Sequence, residues 1–150
     1  METSEFATYF AKVPHLKPHF VGVFPIDKIP KNFKNKTFFV CNTDPSNKSG
    51  SHWIAFVKIQ KGECEIFDSL GTKINELLPF FKFYDKVKFI YNTTPVQSKE
   101  SILCGKFVIT FIVNRMLNQS LEFDELIEDV FSSDLAKNDV IVTEFCNQLD

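Results

Sequence analysis

Four polar side chains in this sequence have the types and the order that nucleophilic catalysis by a cysteine requires: His52, Asp68, Gln97 and Cys104. A thiolate attacks an acyl carbon, while an imidazole accepts the thiol proton and later protonates the leaving amine. A carboxylate orients the imidazole. An amide N–H, together with the backbone N–H at the nucleophile, stabilises the oxyanion. Each residue alone also fits an ordinary structural role, so the interpretation depends on whether the fold brings the four together.

The candidate nucleophile Cys104 stands where a polar loop becomes a helix. From Cys104 onward the sequence is almost entirely apolar apart from one polar stripe at four-residue spacing, which predicts a helix buried nearly all round. A thiol in the first turn lies at the positive end of the peptide dipoles, a location that lowers its pKa. Gly105 would leave the substrate-facing side of Cys104 uncrowded. The structural alternatives are a small core cysteine and a glycine that serves helix packing.

Two strands are expected to bring His52 to Asp68. Residues 51–59 and 63–67 both have strand character. The three-residue loop 60–62 ends in glycine, which predicts a type I turn closed by a left-handed glycine and a bulge. In that register His52 lies diagonally from Asp68 on the same face of the hairpin, within reach of a hydrogen bond. A two-residue loop would reverse the parity and separate the pair.

The remaining pattern predicts a single α+β domain over residues 1–150. Further strands are predicted over 37–41 and 87–91, and helices over 4–12, 73–84 (with a bend at Pro79), 121–131 and from Ser133 or Asp134 to Leu149. Segment 19–30, which contains prolines, is expected to be an extended connector rather than a central strand. The expected architecture is a small, mainly antiparallel sheet packed against the buried helix that carries Cys104 at its N-terminus.

Composition narrows the class of protein. The formal net charge of -2 gives no electrostatic argument for binding nucleic acid or an anionic membrane. The acidic start lacks the basic region of a signal peptide, and no apolar run approaches the ~20 residues of a membrane span. Cys41, Cys64, Cys104 and Cys146 are therefore expected to be thiols in a reducing, intracellular compartment. The cysteine and histidine spacings do not fit a metal site, so no metal or other cofactor is expected.

The candidate residues and their neighbours resemble the signatures of a known family. Gly50-Ser51-His52-Trp53, Phe67-Asp68-Ser69-Leu70-Gly71, Gln97 and Cys104-Gly105 are similar to the His-Trp, Asp/Glu, Gln and Cys-Gly motifs of adenain-type cysteine proteases. These are the proteases of adenoviruses, of the virus-like Polinton/Maverick transposons and of virophages; the SUMO proteases belong to the same clan. The resemblance covers roughly residues 50–115. The seven-residue step from Gln97 to Cys104 is similar to the adenovirus spacing.

The resemblance implies a papain-like or adenain-like fold and a role for each matching residue. Cys104 would be the nucleophile, His52 the general base, Asp68 its orienting carboxylate and Gln97 the oxyanion donor. Trp53 would wall a narrow channel that admits only glycine at the scissile end; its structural alternative is a core aromatic. The implied substrates are capsid or core precursor proteins cut after small, glycine-containing motifs. The implied location is the host cytoplasm or nucleus, or virus-like particles.

Several alternatives remain open at this stage. A SUMO or ubiquitin-like isopeptidase would use identical chemistry, although many use a second channel tryptophan and this chain has only Trp53. A non-catalytic binding domain that retains the triad, and acyl transfer to a protein lysine, are further candidates. Adenovirus members hold an activating peptide through a cysteine, but the matching region here, around Lys86, has none. The need for an activator is therefore left open, and the net charge gives no support for DNA as a cofactor.

Overall fold

A computed structural model of the protein describes residues 1–44, 52–71 and 74–149. The strands are β1 (Phe20–Pro25), β2 (Thr37–Asn42), β3 (Trp53–Lys58), β4 (Glu63–Phe67) and β5 (Lys88–Tyr91). The helices are α1 (Thr3–Ala11), α2 (Ile74–Phe81), α3 (Cys104–Leu117), α4 (Phe123–Val130) and α5 (Leu135–Leu149). Within these described ranges the strands form a five-stranded sheet in chain order. The predicted α+β class is confirmed.

The sheet is mixed in direction. Strand β3 pairs antiparallel with both β2 and β4, as the expected antiparallel arrangement requires. The outer strands β1 and β5 instead pair in parallel with β2 and β4. A parallel pair needs a crossover connection rather than a tight turn. The segment that contains α2 supplies that crossover between β4 and β5. Two of the four strand pairings observed in the described ranges are thus parallel, whereas a mainly antiparallel sheet was expected.

The hairpin of β3 and β4 has the predicted register. Ala55 pairs with Phe67, and Phe56 pairs with Ile66. Gly62 closes the loop with a φ of 81°, a left-handed conformation that glycine adopts without steric cost. Continuing the same register beyond the last paired residues brings the chain before β3 alongside the chain after β4. His52 and Asp68 lie at those two positions.

Two local predictions are corrected. Part of segment 19–30 is not a connector but strand β1, which forms an edge of the sheet. Its proline, Pro25, is the last residue of the strand, where the missing N–H does not interrupt the ladder. The helix predicted over 73–84 is the shorter α2, which includes Pro79 and ends at Phe81.

Hydrophobic clusters cover both faces of the sheet because successive residues of a strand point to opposite sides. In β3, Ala55 and Val57 pack in the cluster that contains residues of α1, α3, α4 and α5. Ile54 and Phe56 pack in the cluster that contains residues of α2. Stacked phenylalanine rings join the layers, as between Phe67 and Phe111, whose ring centroids are 4.4 Å apart. Such pairs contribute about 0.5–1.5 kcal/mol beyond their buried area.

Helix α3 begins at Cys104 and is buried on nearly all sides, as predicted. Its polar stripe is satisfied within the helix: the hydroxyl of Thr110 donates to the carbonyl of Lys106 at 2.8 Å, and the amide of Asn114 donates to the carbonyl of Thr110 at 2.7 Å. Across residues 1–44, 52–71 and 74–149, no helix has both the length and the apolarity that crossing a membrane requires.

A buried ion pair ties α3 to β4. Arg115 donates from Nε and Nη2 to the two carboxylate oxygens of Glu65, at 2.8 and 2.6 Å. Arg115 is 2% exposed and Glu65 is 4% exposed. Arg115 also donates from Nη1 to the carbonyl of Leu121 at 2.6 Å, which fixes the turn between α3 and α4.

We expect Arg115→Met to lower the free energy of unfolding by about 3–5 kcal/mol, because it leaves the Glu65 carboxylate buried without its partner. Urea unfolding followed by circular dichroism measures this change. The double variant Glu65→Leu/Arg115→Met should recover most of the loss, since it removes both charges. Lys137→Met on the exposed side of α5 is the control and should change stability by less than ~0.5 kcal/mol. A double variant no more stable than the single one would contradict this account.

Candidate active site

The predicted contact between His52 and Asp68 is confirmed. His52 Nε2 lies 2.6 Å from Asp68 Oδ1, and the two side chains form a buried hydrogen-bonded ion pair. His52 is 6% exposed and Asp68 is fully buried. His52 immediately precedes β3 and Asp68 immediately follows β4, so the hairpin register places them side by side.

Asp68 is held in position by its neighbours. Its Oδ1 accepts a hydrogen bond from the backbone N–H of Leu70 at 3.0 Å. The side chain of Asn92, directly after β5, bonds to both backbone groups of Asp68: Oδ1 accepts from the N–H at 3.0 Å, and Nδ2 donates to the carbonyl at 2.6 Å. Through these two bonds, the side chain of Asn92 extends the pairing of β4 and β5 by one residue beyond the end of both strands. The only sequence signal for Asn92 is an asparagine directly after a strand, which does not by itself predict a bond to Asp68.

Cys104 also interacts with His52. Cys104 is the first residue of α3 and is partly exposed. Its sulfur lies close enough to the imidazole of His52 and to the backbone amides of Trp53 and Gly105 for all three to lower its pKa. Because Asp68 engages Nε2 of the imidazole, Nδ1 is the nitrogen that faces the thiol. The structure therefore joins three of the predicted residues in the order thiol, imidazole, carboxylate.

Electrostatic interactions among Cys104, His52 and Asp68 favour a thiolate on Cys104 paired with an imidazolium on His52. Burial alone would lower the pKa of His52, but hydrogen bonds and charge interactions with Asp68 and Cys104 outweigh it and raise the pKa to about 9. Burial alone would raise the pKa of Cys104, but the hydrogen bond with His52 and those with the backbone amides of Trp53 and Gly105 outweigh it, so the thiol pKa is lowered. Between these two pKa values a thiolate and an imidazolium coexist.

Two other cysteines show the opposite behaviour. Burial is the main cause that raises the pKa of Cys64 to about 12, and burial together with the Asp27 carboxylate also raises the pKa of Cys41. Neither thiol is exposed. Cys41 and Cys64 therefore have the properties of unreactive core cysteines, and they differ from Cys104 in both burial and charge environment.

Gln97 lies in the loop before α3 and is 3% exposed. Its Nε2 donates to the carbonyl of Ser101 at 2.9 Å, and its Oε1 accepts from the hydroxyl of Ser69 at 2.5 Å. The turn after Asp68 supports this loop closely. A Cβ on Gly71, which has a φ of 68°, would lie 2.9 Å from the backbone nitrogen of Pro95. Gln97 is thus tied to the turn that carries Asp68 and to the segment that leads into Cys104.

Trp53 and Gly105 have packing contacts. Trp53 is partly exposed, and its ring meets that of Phe6 edge-on at 5.0 Å between centroids, on the α3 side of the sheet. Its backbone amide reaches the sulfur of Cys104. The space beside Gly105 is filled rather than open, because a Cβ there would lie 2.9 Å from atoms of Met1. Met1 therefore packs against Gly105, and a role of this glycine toward a substrate stays a prediction.

Potential metal ligands do not cluster in the part of the chain that the structure describes. No group of three or more His, Cys, Asp or Glu side chains there could hold a metal ion. The candidate site brings together a thiol, an imidazole and a carboxylate, with the amide side chain of Gln97 held in the adjoining loop.

Comparison with known proteins relates the chain to a viral protease over part of its length. No protein-family model matches the chain. It is 34% identical to a protease of bovine adenovirus 7 over 88 residues, an alignment that covers 49% of this chain and 44% of the relative. The chain therefore spans less than half the length of the curated relative that it matches.

Two solved structures are similar. The central domain of an uncharacterized protein from Legionella pneumophila is 14% identical with a TM-score of 0.51, and the match covers 100% of this chain and 99% of that domain. A crystal structure of the ASFV protease is 21% identical with a TM-score of 0.48, over 75% of this chain and 43% of that one. The chain thus shares the α+β fold of the Legionella domain and is similar, over part of its length, to an adenovirus protease.

Proposed function

We propose that this protein is a cysteine endopeptidase with Cys104 as its nucleophile. The observation that carries the proposal is the position of His52, which is bonded on one side to the buried carboxylate of Asp68 and on the other to a thiol at the start of a helix. The lowered pKa of Cys104 and the raised pKa of His52 support an ion pair ready for nucleophilic attack. The 34% identity to an adenovirus protease supports peptide hydrolysis as the reaction.

The reaction would proceed in two steps. The sulfur of Cys104 bonds to the carbonyl carbon of the scissile peptide, and the C–N bond breaks as Nδ1 of His52 gives its proton to the leaving amine. Water then loses a proton to His52 and attacks the thioester carbon, which releases the new carboxyl group and restores the thiolate. Asp68 keeps the imidazole oriented and stabilises its charged form throughout. The Nε2 amide of Gln97 and the backbone N–H of Cys104 would bind the oxyanion of both steps.

The proposed substrates are capsid or core precursor proteins of a virus or of a virus-like transposon of the Polinton/Maverick type. Cleavage after a small, glycine-containing motif would suit a channel walled by Trp53, a partly exposed residue whose backbone amide lies near the sulfur of Cys104. The corresponding location is inside the host cell, in the cytoplasm, the nucleus or assembling particles. The adenovirus origin of the relative supports this choice of substrate class.

A peptide library made by digesting a whole proteome tests the proposal. Incubation with the wild type, followed by mass spectrometry, should reveal new termini that follow glycine-containing motifs, and Cys104→Ala should produce none of them. Fusions of SUMO and of ubiquitin are tested in parallel. Preferential cleavage of either fusion would favour the isopeptidase alternative. A wild type that cleaves neither peptides nor fusions would contradict the proposed activity.

A further inference from the structure

Ser69 is a fully buried hydroxyl at the edge of the candidate site, one residue beyond Asp68. A buried hydroxyl needs a hydrogen-bond partner, and that of Ser69 is the side-chain oxygen of Gln97 at 2.5 Å. The triad of thiol, imidazole and carboxylate leaves this contact without a role.

The hydrogen-bond partners of Gln97 determine the orientation of its side-chain amide. The carbonyl of Ser101 can only accept a hydrogen bond, so the group 2.9 Å from it must be Nε2. Oε1 then faces Ser69, whose hydroxyl is the donor. Nε2 carries two hydrogens and Ser101 takes one of them, so the direction of the second is set by the plane of the amide. Ser69 and Ser101 together fix that plane.

The backbone of the Gln97 loop is held independently of the Ser69 hydroxyl. The carbonyl of Ser69 accepts from the backbone N–H groups of Val96 and Gln97, at 2.9 and 3.0 Å. On the other side, Nδ2 of the buried Asn138 on α5 donates to the carbonyl of Val96 at 2.8 Å. Removal of the hydroxyl alone would thus leave the loop in place and free only the side-chain amide to rotate.

We infer that Ser69 is a positioning residue that orients the Gln97 amide, so that the second hydrogen of Nε2 is presented to the oxyanion. The inference rests on the proposed function, because it assigns Ser69 a part in the same reaction. Ser69 acts through Gln97 and contacts no reacting atom. Its effect should therefore be confined to steps in which an oxyanion develops.

Two reactions of Cys104 separate this role from a structural one. Peptide hydrolysis forms an oxyanion, whereas alkylation by iodoacetamide displaces iodide from a saturated carbon and forms none. With a fluorogenic amide of the best library peptide, Ser69→Ala should lower kcat by about 10-fold to 100-fold. KM and the rate of Cys104 alkylation should stay within about twofold of wild type, because binding and the thiolate are untouched. Ser69→Thr, which keeps a hydroxyl, should recover part of kcat.

A double-mutant cycle with Gln97→Ala supplies the sharper test. If Ser69 acts through Gln97, adding Ser69→Ala to Gln97→Ala should lower kcat no further. Ser133→Ala, an exposed serine before α5, is the control and should leave kcat unchanged. Additive losses, or alkylation slowed as much as hydrolysis, would overturn the inference. If the wild type hydrolyses the peptide and Ser69→Ala has the same kcat, the inference about Ser69 fails but the proposed function stands. If the wild type does not hydrolyse the peptide, the proposed function fails as well.

Discussion

Replacement of Cys104 with alanine should abolish peptide hydrolysis, with a loss in kcat of about 10⁴-fold or more. In the proposed mechanism, only the side chain of Cys104 forms a covalent bond to the substrate. Within the described site, no second nucleophilic side chain contacts His52. The fold should survive, because Cys104 is partly exposed and begins a helix that is held by other residues. Hydrolysis of the fluorogenic peptide, with thermal unfolding as the check on folding, measures both.

Cys64→Ala is the matched control for loss of a thiol. Cys64 is buried in the cluster on the opposite face of the sheet from α3, and its raised pKa of about 12 keeps it protonated at neutral pH. We expect Cys64→Ala to retain wild-type kcat and KM while losing some stability through the small cavity. Substantial hydrolysis by Cys104→Ala, or its loss in a folded Cys64→Ala, would place the nucleophile elsewhere.

Replacement of Asp68 with asparagine should lower kcat/KM by about 10³-fold to 10⁴-fold. Asparagine matches the shape of Asp68 but carries no charge, so it stabilises the imidazolium poorly. The amide can also donate to Nε2 of His52, which would favour the wrong tautomer for accepting the Cys104 proton. Steady-state hydrolysis measures the change, and the buried position of Asp68 makes compensation by solvent ineffective.

The same variant should narrow the pH range of activity. The active ion pair exists above the lowered pKa of Cys104 and below the raised pKa of His52, which is about 9. Without the Asp68 carboxylate the imidazolium loses a stabilising charge, so the pKa of His52 falls and the alkaline limb of kcat/KM moves to lower pH. Asp129→Asn on the exposed face of α4 is the control. An alkaline limb that does not move in Asp68→Asn would contradict the role assigned to the carboxylate.

The contact between His52 and Asp68 was predictable because it depends on local chain geometry. A three-residue loop that ends in Gly62 determines the register of the hairpin, and the register determines which residues lie side by side at its open end. The start of α3 at Cys104 was predictable for a similar reason, since a long apolar run with one polar stripe follows directly. Both features are properties of short stretches of sequence.

The contacts that hold the site together were not predictable because they join distant parts of the chain. Asn92 bonds to the backbone of Asp68, and Asn138 bonds to that of Val96, only after the β4–β5 crossover and α5 have packed. The placement of Met1 against Gly105 likewise depends on how α1 packs against α3. Periodicity and turn chemistry carry no information on such tertiary partners. The parallel edge strand β1 was missed for the same reason, since its partner is chosen by packing.

The most direct test of the account is the pH dependence of Cys104 alkylation by iodoacetamide, read by mass spectrometry in the wild type and in His52→Ala. Cys41 and Cys64 in the same sample are internal references for buried thiols with raised pKa values. The account predicts that wild-type Cys104 reacts well below the ordinary thiol pKa of ~8.5 and that His52→Ala moves its reactivity up toward that value. A Cys104 profile that is the same in both proteins would contradict the thiolate–imidazolium pair at the centre of the proposed mechanism.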